Sequence, residues 1–239
     1  MESKSNSVIN SAFCWNDIET VFLDMDGTLL DKHYDDYFWE HFVPEMYSRH
    51  HNLEPEETKK QLLKVYQSVE GTLQWTDLDY WSHRLDLDIP MLKKEIIHLV
   101  NILPHVTDFL HFLKKRGKNI YLITNAHPKT LAIKMEKVQL NHLFTQSICS
   151  QEVGAAKEQP EFWSKLQTLL PYDSTTTFFA DDTEKVLDSA AAYGISHLIH
   201  IAKPSTRLPA TFSKKYISIA NFKQCIVGLP ENTEPFKSS

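Results

Sequence analysis

Two carboxylates one residue apart, Asp24 and Asp26, follow the apolar run Val21-Phe22-Leu23 and precede Gly27-Thr28. Val-Phe-Leu running into a turn reads as a buried strand. Side chains alternate along a strand, so Asp24 and Asp26 should face the same side where the strand ends. Gly27 allows the backbone to turn sharply after them. Two like charges so close repel unless something positive lies between them, and a divalent cation is the simplest such partner. The plainer alternative is a solvated turn whose two acids cap backbone amides.

Three further strand ends carry polar residues suited to the same chemistry. Ile120-Tyr121-Leu122-Ile123 leads into Thr124-Asn125. A hydroxyl and an amide beside a helix N-terminus can hold phosphate oxygens, or Thr124 can simply cap that helix. Lys157 follows Gly154-Ala155-Ala156. From such a loop a lysine can balance carboxylate and phosphate charge, although most lysines are solvated. The strand 176–180 ends in Asp181-Asp182, a good place for ligands to a hard cation, or for caps of the next helix. The joint pattern decides: an acid pair, Thr-Asn, Lys and a second acid pair all fall at strand ends or in their loops.

These clusters require elements that bring strand ends together. Helices over 105–116, 128–138, 160–170 and 183–193 alternate with strands over 120–123, 144–149, 176–180 and 196–201, and 213–219 adds an edge strand or a helix. That rhythm predicts an α/β fold with a Rossmann-like, doubly wound parallel sheet. Residues 34–99 differ, being nearly free of glycine, with apolar residues at helical spacing such as Leu62, Leu63, Tyr66 and Val69. Pro55, Glu56 and Glu57 read as a helix first turn. The expected organisation is a core domain over 1–33 and 100–239, with an inserted all-helical cap over 34–99. Residues 1–10 are expected to be disordered, and Lys129 and Lys134 to lie on the surface.

At 239 residues and a formal charge of −6, the chain suits a globular protein that binds neither a nucleic acid polymer nor a membrane. The N-terminus lacks an apolar signal region, and no apolar run reaches membrane-spanning length. Cys14, Cys149 and Cys225 are unpaired by spacing and read as free thiols in a reducing cytoplasm.

The four clusters, in this order and with a helical insert between the first two, resemble the haloacid-dehalogenase superfamily of phosphohydrolases with a C1-type cap. A narrower pattern resembles the bacterial purine 5′-nucleotidases that favour GMP and IMP. It comprises Asp36-Tyr37-Phe38-Trp39, Val43-Pro44-Glu45, Trp75, Leu78-Asp79-Tyr80-Trp81-Ser82 and Thr124-Asn125-Ala126-His127-Pro128. One departure is that Lys157 is followed by Glu158-Gln159-Pro160 where the superfamily commonly has proline at once, which should move the helix start and leave the lysine in place. The resemblance implies a phosphomonoesterase with Asp24 as nucleophile and Asp26 as general acid and base. Thr124, Asn125 and Lys157 would bind phosphate. Mg²⁺ would be held by Asp24, the Asp26 main-chain carbonyl and Asp182, with Asp181 as a further ligand or an orienting group. A second acid at Asp26 suits an ester leaving group, since halide departs without a proton. The implied partner is a small nucleotide, with Phe38, Trp39, Trp75, Tyr80 and Trp81 as candidate base contacts or as core of the cap. A sugar-phosphate or phosphoglycolate phosphatase, a phosphomutase, and a non-catalytic binding protein on the same fold remain the rival readings.

Overall fold

The structure, a computed structural model, describes residues 14–226. The expectation for residues 1–10 lies outside the described residues. A single parallel sheet forms the centre, with strand order β3-β2-β1-β4-β5-β6. Its strands are β1 (Thr20–Leu23), β2 (Asn119–Thr124), β3 (Gln146–Cys149), β4 (Thr177–Asp181), β5 (His197–Ile201) and β6 (Ile217–Ile219). The expected doubly wound parallel sheet is therefore observed, and the segment before 219 supplies its edge strand.

β1 and β4 are buried along their whole length. This is the state of strands covered by helices on both faces. Alternation sorts their side chains between two apolar layers. Val21, Leu23, Phe178 and Ala180 join one, while Phe22 and Phe179 join the other. The first layer does not stop at the sheet. It continues without a break into Tyr34, Phe38, Leu62, Tyr66, Leu78, Trp81, Leu85 and Ile89.

Those residues belong to helices threaded between β1 and β2: α1 (His33–Tyr37), α2 (Val43–His51), α3 (Pro55–Gln67), α4 (Leu73–Thr76), α5 (Leu78–Leu85) and α6 (Ile89–Glu95). A π-helical turn, Phe38–Phe42, joins α1 to α2. Helix starts follow local chemistry. Pro55 opens α3, where the Glu54 carboxylate accepts the Glu57 N–H at 2.7 Å. The Asp77 carboxylate accepts from the Asp79 and Tyr80 amides at 2.9 and 3.1 Å and so caps α5. The second half of the chain packs α7 (Val106–Lys115), α8 (Pro128–Val138), α9 (Ser150–Val153), α10 (Pro160–Leu169) and α11 (Glu184–Tyr193) against the sheet. No described helix is long and apolar enough to cross a membrane, and the three cysteines are free.

A hub of the first layer is Phe109 on α7. It is fully buried, stacks on Phe222 at 4.4 Å and meets Trp15 at 5.7 Å and Phe178 at 6.3 Å. Phe109→Ala should destabilise the fold by about 3–5 kcal/mol, through lost transfer energy and the cavity left behind. Urea unfolding checks this: the midpoint should fall with the slope unchanged.

Candidate active site

β1 and β4 are neighbours, with Leu23 opposite Ala180. The Asp24 N–H continues that ladder to the Ala180 carbonyl at 3.1 Å. The register thus places Asp24 beside Asp181 at the carboxyl edge of the sheet, where open α/β sheets hold ligands. Both are buried. Lys157 enters between them from the loop before α10, its Nζ donating to Asp24 Oδ1 at 2.5 Å and to Asp181 Oδ2 at 2.6 Å. Burial pulls this ammonium down, but Asp181 and Asp24 together push it above the ordinary lysine range. Burial in turn pushes Asp181 up to about 8, against the pull of Lys157. Asp24 is also raised, by burial first, with Lys157 opposing.

The loop holding Lys157 is itself fixed. Asn125 Oδ1 accepts the Lys157 N–H at 2.9 Å, and Asn125 Nδ2 donates to Glu158 at 2.8 Å. Gln159 accepts the Ala156 N–H at 2.7 Å, and the helix begins at Pro160. The Glu-Gln insertion therefore moves the helix start and supplies the partner that orients Asn125. Thr124 is buried at the end of β2, and its Oγ1 accepts the Ala126 N–H at 3.0 Å. Among the described residues its own O–H has no acceptor.

Beyond β1 the chain reverses at Gly27, whose φ is +88°. A Cβ there would lie 2.6 Å from the Asp182 carboxylate, so only glycine lets Asp182 close over the turn. Asp182 Oδ2 also accepts from Lys32 at 3.0 Å. The carboxylates of Asp24, Asp181 and Asp182 each offer an oxygen within 4.8 Å of the others. Three acids against two lysines leave a net negative, all-oxygen cluster over a glycine cradle. That donor set fits a hard divalent cation.

Asp26 faces the same cavity as Asp24, as strand alternation predicts. Its Oδ1 accepts from Lys134 Nζ at 2.6 Å. Burial, and then the neighbouring Asp35 charge, push Asp26 up to about 7 despite Lys134. The cavity above these groups measures about 370 Å³. Asp24, Asp26, Thr124, Asn125, Lys157, Asp181 and Asp182 form its floor, and Trp39, Leu63, Tyr66, Glu70 and Trp75 form its far wall.

All seven core-motif residues expected from the sequence thus meet in one cavity. Of the five aromatic candidates, Trp39 and Trp75 line it. Phe38 and Trp81 are fully buried, packing at 4.9 and 5.7 Å against Trp39 from behind. Tyr80 is half-buried outside the lining and packs on Trp81 at 5.0 Å. The expectation of a surface position for Lys134 is wrong: it is 1 % exposed. Tyr66 was missed, and its buried hydroxyl has no hydrogen-bond partner among the described residues. Also missed were Lys32, Asp35 and Lys93. The sequence around Lys134 carried no signal of its burial. It sits between Ile133 and Met135 with no acid three or four residues away on α8, and its partners Asp26 and Asp35 come from distant segments.

Residues 18–194 match the family described as haloacid dehalogenase-like hydrolases. The chain is 34% identical over 215 residues to the GMP/IMP nucleotidase YrfG of Escherichia coli, covering 90% of this chain and 97% of that protein. Among solved structures it is similar to an HAD phosphatase from Thermococcus onnurineus, at a TM-score of 0.73 and 19% identity over 88% of this chain and 98% of that one. It also resembles the HAD-hydrolase YfnB of Bacillus subtilis, solved bound to magnesium, at a TM-score of 0.61 and 15% identity over 87% and 96% of the two chains. The strand-end acids, the lysine between them and these matches agree: the chain belongs to the haloacid dehalogenase-like hydrolase family.

Proposed function

We propose that this chain is a divalent-metal-dependent phosphomonoesterase that removes phosphate from purine 5′-mononucleotides such as GMP and IMP. The observation carrying the reading is Asp24, a carboxylate on the cavity floor with one oxygen held by Lys157. In this reading residues 1–33 and 100–239 form the catalytic core and 34–99 the cap.

Asp24 attacks phosphorus through its free oxygen, forming an aspartyl-phosphate as the ester P–O bond breaks. Asp26 delivers a proton to the departing ribose oxygen. Water then attacks phosphorus, Asp26 takes a proton from it, and phosphate leaves Asp24 as a carboxylate. Thr124 and Lys157 hold non-bridging oxygens as charge spreads over them. Asn125 orients the Lys157 loop, which its two side-chain hydrogen bonds support. Asp24, the Asp26 main-chain carbonyl and Asp182 would hold Mg²⁺. The ion would neutralise phosphoryl charge that otherwise repels an anionic nucleophile. Asp181, both of whose oxygens already accept from Lys157 and the Thr183 N–H, acts as an orienting group.

Support for a nucleotide comes from the nucleotidase relative and from the cavity wall. Trp39 and Trp75 stand 6.3 Å apart with ring planes 30° from parallel. Flat aromatic faces of this kind accept a base by stacking. A cavity of this size suits a small ligand.

Phosphate release should be fastest from GMP and IMP in a panel of 5′-nucleotides, phosphoglycolate and hexose phosphates. It should stop with EDTA, return with Mg²⁺, and fall by about 10³-fold or more in Asp24→Asn. A sugar phosphate or phosphoglycolate as best substrate would remove the purine assignment, and no turnover on any ester would favour a binding protein. Trp75→Ala should raise KM for GMP by about 10-fold, the loss of one stacking contact, while KM for glycerol phosphate stays level. Steady-state kinetics on the two esters decide it.

A further inference from the structure

Lys134 reaches the site from behind. Its Nζ donates to Asp26 Oδ1 at 2.6 Å and to Asp35 Oδ2 at 2.5 Å. Asp35 Oδ1 accepts in turn from Lys93 Nζ at 3.1 Å. The Lys93 ammonium lies 4.2 Å from the Phe38 ring centre and 5.5 Å from that of Trp39. The network joins the turn after β1, α1, α6 and α8, and its two ammonium groups balance its two carboxylates. Asp26, Asp35 and Lys93 line the cavity, whereas Lys134 does not.

We propose that Lys134, held by Asp35 and Lys93, is a positioning residue that fixes the Asp26 carboxyl for proton delivery to the leaving oxygen. This rests on the phosphomonoesterase reading above. Among the described residues, Lys134 is the side chain that hydrogen-bonds Asp26. By occupying Oδ1 it favours one rotamer of a carboxyl that lines the cavity, with Oδ2 left for the ester. A carboxyl on a turn, freed of that contact, would rotate among staggered positions. A general acid acts only within hydrogen-bond reach of the atom it protonates. Two of the three ammonium donors hold two carboxylates from different segments. Lys134 is therefore anchored to Asp26 from a second segment, through Asp35 on α1.

A nucleoside leaves as an alkoxide and needs the proton, while p-nitrophenolate departs without it. The ratio kcat/KM reports steps only through departure of the leaving group. Later hydrolysis of the aspartyl-phosphate, common to both esters, therefore does not enter. In Lys134→Met, kcat/KM for GMP should fall about 10²-fold, the loss expected from misplacing a reacting group by about 1 Å. With p-nitrophenyl phosphate it should change little. Asp35→Asn should show the same selectivity with a smaller loss, and it decides alone if Lys134→Met does not fold by thermal unfolding. Equal losses on both esters in a folded variant, or no loss on GMP, would overturn the proposal. Wild type that hydrolyses another alkyl phosphate but not GMP would sink the nucleotide reading, and the same comparison then runs on that ester. Wild type inactive on every ester would overturn the phosphatase reading and the positioning role with it.

Discussion

Parallel pairing of β1 with β4 forces two carboxylates, Asp24 and Asp181, side by side at a buried sheet edge. Two unit charges near 4 Å repel by about 4 kcal/mol at an effective dielectric near 20. Lys157 answers that repulsion by lying between them. The rest of the site follows from delivering this one ammonium. Asn125 pins the backbone beneath it, Glu158 pins Asn125, and Gln159 closes the turn before α10. Breaking such a buried contact on one side leaves an uncompensated charge, so the loop has little freedom to drift.

The same constraint explains the far wall. Lys93 is buried on α6, and its charge is matched by Asp35 and by the faces of Phe38 and Trp39. Trp39 sits on the π-helical turn, a geometry that recurs at functional sites because it re-aims side chains. Here it separates neighbours with different duties: Phe38 packs inward while Trp39 reaches the cavity. Tyr66 and Trp81 meet Trp39 at 5.4 and 5.7 Å and hold it from the other side. The helical insert is thus joined to the sheet by one apolar layer and by a balanced charge network.

The strand-end residues were legible in the sequence because strand geometry is local. An apolar run with period two fixes where its last side chains point, so Asp24, Asp26, Thr124 and the Asp181-Asp182 pair needed no tertiary knowledge. Lys157 was legible from the small-residue loop before it. Lys134 was not, because a lysine's burial depends on counter-charges, and its own come from Asp26 and Asp35, roughly a hundred residues earlier in the chain. The aromatics failed for a related reason. Phe38, Trp39, Trp75, Tyr80 and Trp81 share a character that composition cannot divide. Only the packing of Trp39, on the π-helical turn, against Tyr66 of α3, Trp75 of α4 and Trp81 of α5 sets Trp39 and Trp75 at the cavity and Trp81 in the core. Tyr66 looked like one more apolar helix position, although its hydroxyl has no partner among the described residues.

Asp24 and Asp26 are separated by one residue, and each is met by one buried lysine, yet their surroundings differ. Asp24 shares its lysine with Asp181 and lies beside Asp182, so three carboxylates crowd one side. Asp26 shares its lysine with Asp35 and stands a quarter exposed to the cavity. Burial raises both acids, but the crowd around Asp24 is where added positive charge would act most strongly, since attraction falls with distance. Asp26 is hydrogen-bonded by Lys134, and burial and the Asp35 charge push it up to about 7. In the proposed mechanism these diverging surroundings correspond to two roles, Asp24 as nucleophile and Asp26 as proton carrier. Here the divergence originates in which helix supplies each lysine: the loop before α10 for Asp24, and the buried face of α8 for Asp26.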